Sequence, residues 1–189
     1  MTLHTYSIPL LRGRRSRLRA PCMDDAGPLF ALFSDAPSMR WWPRAPMRTP
    51  GEATGLIEEF AEHFARGDRI DWIVADVTDD AAIGTCTLYD IDTRRRCAML
   101  GYALLPAHRG RGIVADAATQ VIAWSVRTLG LRRIEACVAH GNAASVAVLA
   151  RLGFVQVEGA DVEDDGEPGV ALWALDAGPD HSLRSGGSR

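Results

Sequence analysis

Arginine and glycine alternate in one short segment, Arg109-Gly110-Arg111-Gly112, which follows Pro106 and precedes a run with helical periodicity. The first turn of a helix carries unpaired backbone N–H groups and the positive end of the helix dipole, so it binds anions such as phosphate. Glycine lets the backbone approach an anion closely. Arginine adds charge and paired hydrogen bonds. The segment therefore predicts a loop that binds a phosphate or a diphosphate.

Three interpretations of this loop compete. The spacing Gly110-x-Gly112-x-x-Ala115 fits the dinucleotide fingerprint, with Glu135 at about the expected distance. We disfavour it because too few residues follow for the remaining strand–helix units, and because hairpins predicted upstream do not suit a parallel sheet. The second interpretation is a surface turn rich in arginine and glycine, and the third is a diphosphate loop in another α/β context.

The composition is that of one globular domain: 189 residues, 47% of them hydrophobic and 24% charged. A net charge of −3 argues against a dedicated nucleic-acid-binding protein. All 21 basic residues are arginine. The absence of lysine excludes a Schiff-base enzyme and the phosphate loop that ends in Gly-Lys.

The four cysteines, at positions 22, 86, 97 and 137, are scattered without a Cys-x-x-Cys pair, and the histidines do not complete a set of metal ligands with them. This pattern predicts buried, reduced thiols and no metal site. The sequence shows no apolar stretch of membrane-spanning length. Arginines follow the first apolar run, which is the wrong order for a secretory signal. We therefore expect a cytoplasmic protein without membrane contact.

The elements that would position the loop follow a mixed pattern. A strand around Leu18, a helix from Asp24 and a helix over 52–66 come first. Predicted next are strands over 72–75, 82–89 and 98–105, a helix over 112–129, a strand over 133–138, a helix over 143–152, and strands over 154–157 and 170–175. Hairpins followed by one crossover predict an α+β fold. We expect one domain over residues 1–177 and a disordered tail over 178–189.

Several short motifs occur in one order along the chain: Arg17-Leu18-Arg19, Ile83-Gly84-Thr85, Gly101-Tyr102 ahead of the loop, Asn142-x-x-Ser145, and Leu152-Gly153-Phe154. With them, the chain from about residue 17 to 175 resembles the GNAT superfamily of acyl-CoA N-acyltransferases. Within that superfamily it is similar to the RimJ/RimL-like branch of ribosomal-protein N-terminal acetyltransferases.

The resemblance implies a mixed central sheet of about seven strands, flanked by about four helices, with the fourth and fifth strands splayed apart. It implies acetyl-CoA as co-substrate and no metal. Pantetheine would lie in the gap, bonded to the backbone near Ala103, Leu104 and Leu105, and Asn142 would reach it. The diphosphate would lie on the amides of Arg109, Gly110, Arg111, Gly112, Ile113, Val114 and Ala115.

The chain departs from the family pattern at its catalytic positions. Met99 stands where many relatives carry glutamate, and the helix after Asn142 lacks the tyrosine that many relatives use as general acid. Ser145 then remains as the candidate acid and Glu135 as the candidate base, acting through water. Each also has a structural interpretation, Ser145 as a residue bonded to nearby backbone and Glu135 as a solvated charge on the sheet.

Trp41 and Trp42 lie in a proline-bounded loop that, by the resemblance, roofs the acceptor site. They either hold an apolar stem or a cation or cover the core, and Tyr89 is assigned to the same site. The acidic segment over 158–167 either attracts a cationic acceptor or forms a solvated hairpin tip.

The expected function is acetyl transfer from acetyl-CoA, by direct attack in a ternary complex, to the α-amine of a protein N-terminus. One alternative is a small-molecule amine as acceptor. Another is a non-catalytic CoA-binding regulatory module. We expect a monomer or a homodimer with no direct nucleic-acid partner.

Overall fold

The computed structural model describes residues 7–159 and 169–177. The predicted tail over 178–189 and most of the acidic segment, residues 160–167, lie outside the described residues. The disordered tail, the domain boundary at residue 177 and the role of the acidic segment therefore stay predictions.

The strands form a single mixed sheet of eight, in the order β1-β2-β3-β4-β5-β6-β8-β7. The pairs are antiparallel except for β5 and β6, which are parallel. The bounds are β1 Leu11–Arg12, β2 Arg17–Arg19, β3 Ile70–Ala75, β4 Ala82–Asp92, β5 Cys97–Leu104, β6 Arg133–Ala139, β7 Val155–Gln156 and β8 Val170–Asp176. The predicted α+β fold is confirmed. The count is eight and not about seven because β1 has only two residues, too few to show an alternating pattern.

Within the described residues, five α-helices accompany the sheet: α1 Ala26–Ser34, α2 Ala36–Met39, α3 Pro50–Arg66, α4 Ile113–Leu129 and α5 Ala143–Leu152. The expected number was about four. The additional helix is α2, a single turn inside the proline-rich loop, where the Asp35 side chain accepts a hydrogen bond from the Ser38 N–H. One turn is too short to show helical periodicity in the sequence.

The helices pack on both faces of the sheet. On the first face of the sheet, α4 and α5 form the first core with Leu18, Trp72, Leu100, Ile134 and other buried residues. On the second face, α1 and α3 form the second core by covering Ile73, Ala75 and Ala82. Along β6 the side chains that alternate with the buried Ile134 lie on this second face, and Cys137 there is exposed. The second face is therefore covered at β3 and open at β6.

The fourth and fifth predicted strands are β5 and β6, and they diverge as expected. Their pairing covers Cys97–Met99 against Arg133–Glu135, and β5 continues to Leu104 without β6. On its other edge β5 stays paired with β4 as far as Gly84. A side chain at Gly84 would overlap the Ala103 carbonyl oxygen, so glycine lets the two strands approach closely there. A gap thus opens beside residues 100–104.

The cysteines follow the prediction only in part. All four are free thiols, and Cys86 is buried. Cys22 and Cys137, however, are exposed. The expectation that the thiols are buried is wrong for these two, because Cys22 precedes a surface turn and Cys137 lies on the open part of the sheet.

Candidate active site

The arginine- and glycine-rich loop joins the end of β5 to the start of α4. Gly110 has a φ of 74° and Gly112 a φ of 73°. Both values lie in the left-handed region, where residues with a Cβ are strained and glycine is not. The backbone path of the loop therefore requires glycine at these two positions.

The first turn of α4 offers backbone N–H groups. Gly112 is the N-cap and makes no side-chain cap hydrogen bond. The first bond within the helix runs from the Asp116 N–H to the Gly112 carbonyl, so the amides of residues 113–115 have no acceptor inside the helix. The branched side chain of Val114 packs against the core on the α4 side of the sheet, and so lies away from the loop. This arrangement suits an anion such as a diphosphate.

Arg109 is oriented differently from the prediction. Its Nε donates to the Leu104 carbonyl at 3.0 Å, and its Nη2 donates to Ser38 Oγ at 2.6 Å. The guanidinium therefore ties the end of β5 to α2. These bonds engage the side chain within the protein and occupy the Leu104 carbonyl that was assigned to pantetheine.

Two arginines from distant segments approach Gly112 instead. Arg15, between β1 and β2, donates from Nη1 to the Arg111 carbonyl at 2.6 Å. The Nη1 atoms of Arg15 and Arg151 lie 3.9 and 4.0 Å from the position that a Cβ of Gly112 would occupy. Sequence reasoning missed both, because neither lies near the loop in the chain. They add two positive charges to the anion site.

The backbone around the gap supplies polar groups for an extended ligand. Alternate backbone groups of β5 face the β6 side, and beyond Met99 that side has no strand partner. The Leu105 N–H is already engaged with the Ile83 carbonyl at 2.9 Å. Asn142 caps α5, with its Oδ1 accepting from the Ser145 N–H at 3.2 Å. Its amide NH₂ is the group left for the predicted contact with pantetheine.

Ser145 makes a contact that the sequence did not indicate. Its Oγ lies 2.8 Å from the Tyr102 hydroxyl, and the same hydroxyl is 3.4 Å from the Ser145 carbonyl. Burial raises the pKa of Tyr102 to about 12, although the hydrogen bond with Ser145 lowers it. Tyr102 belongs to the Gly-Tyr pair of the family pattern, but nothing in the sequence assigned its side chain a partner.

Glu135 lies on the second face of the sheet, in register with Met99, which in turn pairs with Tyr89. The three side chains therefore lie in one row across three strands. Arg133 Nε donates to Glu135 Oε1 at 2.7 Å, and Arg133 Nη1 donates to Asp176 at 3.1 Å. Glu135 is thus an ion-paired residue on this face.

Tyr89 lies over the start of the gap, with its ring 3.6 Å from the position of a Cβ at Gly101. Burial is the main cause that raises the pKa of Tyr89 to about 12, and Cys137 contributes as well. Its phenol therefore stays protonated at neutral pH and presents an aromatic ring with a hydroxyl donor.

The two tryptophans have separate roles in the structure. Trp42 packs edge-to-face on Phe33, with ring centroids 5.7 Å apart, against the second core. Trp41 lies 3.7 Å from the position of a Cβ at Gly141, and the Arg40 guanidinium stands 4.4 Å from its ring centroid. Trp41 therefore reaches from the loop after α2 to the turn before α5, whereas Trp42 covers the core.

Within residues 7–159 and 169–177, His, Cys, Asp and Glu side chains do not gather in threes in a way that would hold a metal ion. No helix in this part of the chain is long and apolar enough to cross a membrane.

Known proteins resemble this chain in sequence and in fold. A curated relative, the uncharacterized N-acetyltransferase YoaA of Bacillus subtilis, is 30% identical over 152 residues, covering 80% of this chain and 85% of its own. RimJ of Mycobacterium smegmatis, solved with CoA-disulfide, superposes with a TM-score of 0.78 at 22% identity, over 90% of this chain and 88% of its own. Spermidine N-acetyltransferase of Vibrio cholerae, solved with CoA and spermine, superposes with a TM-score of 0.74 at 24% identity, over 86% of this chain and 96% of its own.

The family model described as an acetyltransferase (GNAT) domain matches residues 15–155. That range contains the splayed strands, the arginine- and glycine-rich loop with both its glycines, and Ser145. The chain therefore belongs to the GNAT acetyltransferase family, and it is an acyltransferase that depends on acetyl-CoA.

Proposed function

We propose that the protein acetylates the α-amine of a protein N-terminus by direct attack in a ternary complex. One observation carries this choice of acceptor: Trp41 and Trp42 do not form a closed aromatic cage. Trp42 is packed on Phe33, and Cys137 on the acceptor face of β6 is exposed. The second face of the sheet is therefore exposed at β6, beside the gap, and we place the terminus of a protein acceptor there.

The residues around the gap fit acetyl-CoA. The thioester supplies the activated acyl group. The amides of residues 113–115, with Arg111, Gly110 and Gly112, would hold the diphosphate. The backbone groups of β5 beyond Met99 that face the gap, together with the amide of Asn142, would hold pantetheine. The protein has then to orient the amine toward the carbonyl and to handle two protons.

Proton handling is assigned to Ser145 and Glu135. Ser145 lies in the first turn of α5, beside the gap. Glu135 lies beside Met99 in the sheet register, the position at which many relatives carry glutamate, and on the face where we place the acceptor. In this proposal Glu135 accepts the amine proton through water, while Arg133 holds the carboxylate in place.

The test is a panel of acceptor amines at a fixed concentration of acetyl-CoA, in which turnover is measured by the release of the coenzyme A thiol. Peptides with free N-termini from ribosomal proteins are compared with the same peptides blocked at the N-terminus, and with spermidine and aminated natural products. We expect the highest kcat/KM with a free peptide and no turnover with its blocked copy. Higher kcat/KM with a small amine than with every peptide contradicts the proposed acceptor.

A small-molecule amine is the second candidate. The Arg40 guanidinium over the Trp41 ring shows that this ring takes a cation at van der Waals distance. A cationic amine bound on the face of the Trp41 ring opposite Arg40 would approach the turn before α5. A polyamine with the highest kcat/KM in the same panel selects this candidate.

A further inference from the structure

The hydroxyl groups of Tyr102 and Ser145 meet across the gap between β5 and α5, 2.8 Å apart. Tyr102 lies beyond the last paired residue of β5, Met99, and Ser145 lies in the first turn of the helix that follows β6. The pair thus joins the two sides of the opening at the place where the pantetheine arm is proposed to lie.

Packing fixes the Tyr102 ring. The residue is half-buried against the first core, and its neighbour in the β4 register is the fully buried Cys86. The ring therefore has little freedom, and its hydroxyl is held at Ser145. The backbone of Ser145 is fixed in turn by the Asn142 cap.

We propose that Tyr102 is a positioning residue which, through Ser145, presents a hydroxyl hydrogen bond to the sulfur of coenzyme A. This inference rests on the proposed acetyl transfer. In this proposal the Tyr102 hydroxyl donates to Ser145 Oγ at 2.8 Å, because a phenol is a stronger acid than an alcohol and the other acceptor, the Ser145 carbonyl, is farther away at 3.4 Å. A hydroxyl has one proton, and that of Ser145 is then directed away from Tyr102. Hydrogen bonds in such a chain strengthen one another.

The chemistry balances without a further reactant. The amine nitrogen forms a bond to the acetyl carbon, the carbon–sulfur bond breaks, and the sulfur keeps its electron pair as a thiolate. The amine proton passes through water to the Glu135 carboxylate, as in the proposed function. The Ser145 hydroxyl stabilises the thiolate by a charge-assisted hydrogen bond. The Tyr102 phenol remains protonated at neutral pH, because burial raises its pKa to about 12.

The test measures the thiol itself. Bound coenzyme A is titrated by the ultraviolet absorbance of its thiolate in the wild type, in Tyr102→Phe and in Ser145→Ala. A donor to the thiolate lowers the thiol pKa, so each variant is expected to raise it by about half to one unit. The double variant is expected to raise it no further, since the two hydroxyls act as one unit.

Three controls separate this role from a structural one. Desulfo-coenzyme A should bind all variants equally, because it lacks the sulfur. Ser125→Ala, which removes a buried hydroxyl of α4 bonded to the Ile122 carbonyl, should leave the thiol pKa unchanged. In turnover, kcat should fall about tenfold in Tyr102→Phe with KM for acetyl-CoA unchanged.

An identical thiol titration in the wild type and in both single variants overturns the proposal. So does an additive effect in the double variant. If the wild-type protein binds coenzyme A but acetylates no amine, the proposed function fails instead, while the thiol titration still decides the role of Tyr102.

Discussion

The Asp116 carboxylate accepts a hydrogen bond from the Arg15 N–H at 3.0 Å, although the two residues are 101 positions apart in the chain. The same carboxylate accepts from the Arg14 N–H at 3.0 Å and from the Ser16 hydroxyl at 2.8 Å. Asp116 thereby fixes the turn between β1 and β2 against the first turn of α4. Because this turn is fixed, the Arg15 guanidinium is held beside the arginine- and glycine-rich loop, where it donates to the Arg111 carbonyl.

The first prediction concerns Asp116→Ala. Removing a negative charge near an anion site favours anion binding by about 1 kcal/mol or less at a solvated position. Releasing the turn costs more, because reordering backbone costs about 1–2 kcal/mol per residue. We therefore expect coenzyme A to bind about fivefold more weakly, as measured by calorimetry.

The matched control is Asp116→Asn, which removes the same charge and keeps one acceptor oxygen. It should lie between Asp116→Ala and the wild type. Tighter binding in both variants would mean that repulsion by the carboxylate outweighs its anchoring role.

The second prediction concerns the two arginines beside Gly112. Arg15→Ala and Arg151→Ala should each weaken coenzyme A binding by about 5- to 30-fold, because each removes a charged donor near the diphosphate. The dependence of the affinity on salt concentration should also become shallower. Arg14→Ala is the control, since its exposed side chain lies in the same turn and its backbone N–H still reaches Asp116. Equal affinities in all three variants would remove Arg15 and Arg151 from the site.

The third prediction separates charge from shape at Gly112. Asparagine and aspartate both tolerate the left-handed conformation better than other side chains, so Gly112→Asn and Gly112→Asp should unfold at similar temperatures. Only aspartate places a carboxylate against the diphosphate. Calorimetry should show coenzyme A binding at least about 100-fold weaker in Gly112→Asp than in Gly112→Asn. Similar affinities would contradict the placement of the diphosphate at this loop.

The fourth prediction separates the two tryptophans. Trp42→Ala should lower the free energy of unfolding by roughly 2–3 kcal/mol, because it removes the ring packed on Phe33 in a half-buried position. Trp41→Ala should change stability by less than about 1 kcal/mol and raise the acceptor KM about tenfold. Urea unfolding and steady-state kinetics on both variants check this. An unchanged acceptor KM in Trp41→Ala would place Trp41 outside the acceptor site.

The fifth prediction is a pH dependence. Burial alone would raise the pKa of Asp25, but hydrogen bonds from Arg19 and from the Cys22 N–H outweigh burial and hold it below its usual value. A depressed pKa contributes stability that is complete above the unfolded-state value, near 4, and is lost as the pH falls through the folded-state value. The wild type should therefore lose stability steadily in acid below about pH 4.

Asp25→Asn removes this charge and should cost roughly 2–3 kcal/mol at neutral pH, because it leaves the Arg19 guanidinium with a weaker partner. Its unfolding free energy should fall less steeply with acid than that of the wild type. Asp24→Asn, at an exposed neighbouring position, should follow the wild-type curve. Parallel curves for Asp25→Asn and the wild type would show that the ion pair does not carry the acid sensitivity.

Features that depend on neighbours in the chain were predictable from the sequence. The conformation of the arginine- and glycine-rich loop is an example, because the helix start, the two glycines and the flanking arginines all lie within residues 109–115. The ends of α3 and α5 at Gly67 and Gly153 are another, because both glycines take a left-handed conformation that stops a helix. The alternation of hairpins and one crossover likewise indicated a mixed sheet.

Contacts between residues that lie far apart in the chain were not predictable from the sequence. An irregular loop has no regular period from which the orientation of a side chain could be predicted. The sequence therefore did not show that Trp42 packs into the core while Trp41 contacts Gly141. Nor could it show that Arg109 is engaged with Ser38, 71 positions away.

The sequence alone thus determined the family, the sheet class and the glycine-dependent loop before α4, because backbone conformation and helix ends are set by residues within a few positions of each other. The tertiary structure alone decided which side chains complete the site: Arg15 and Arg151 at the loop, and Tyr102 on Ser145. These contacts join segments about 40 to 100 positions apart, and the packing of α4 and α5 on the sheet is what brings them together.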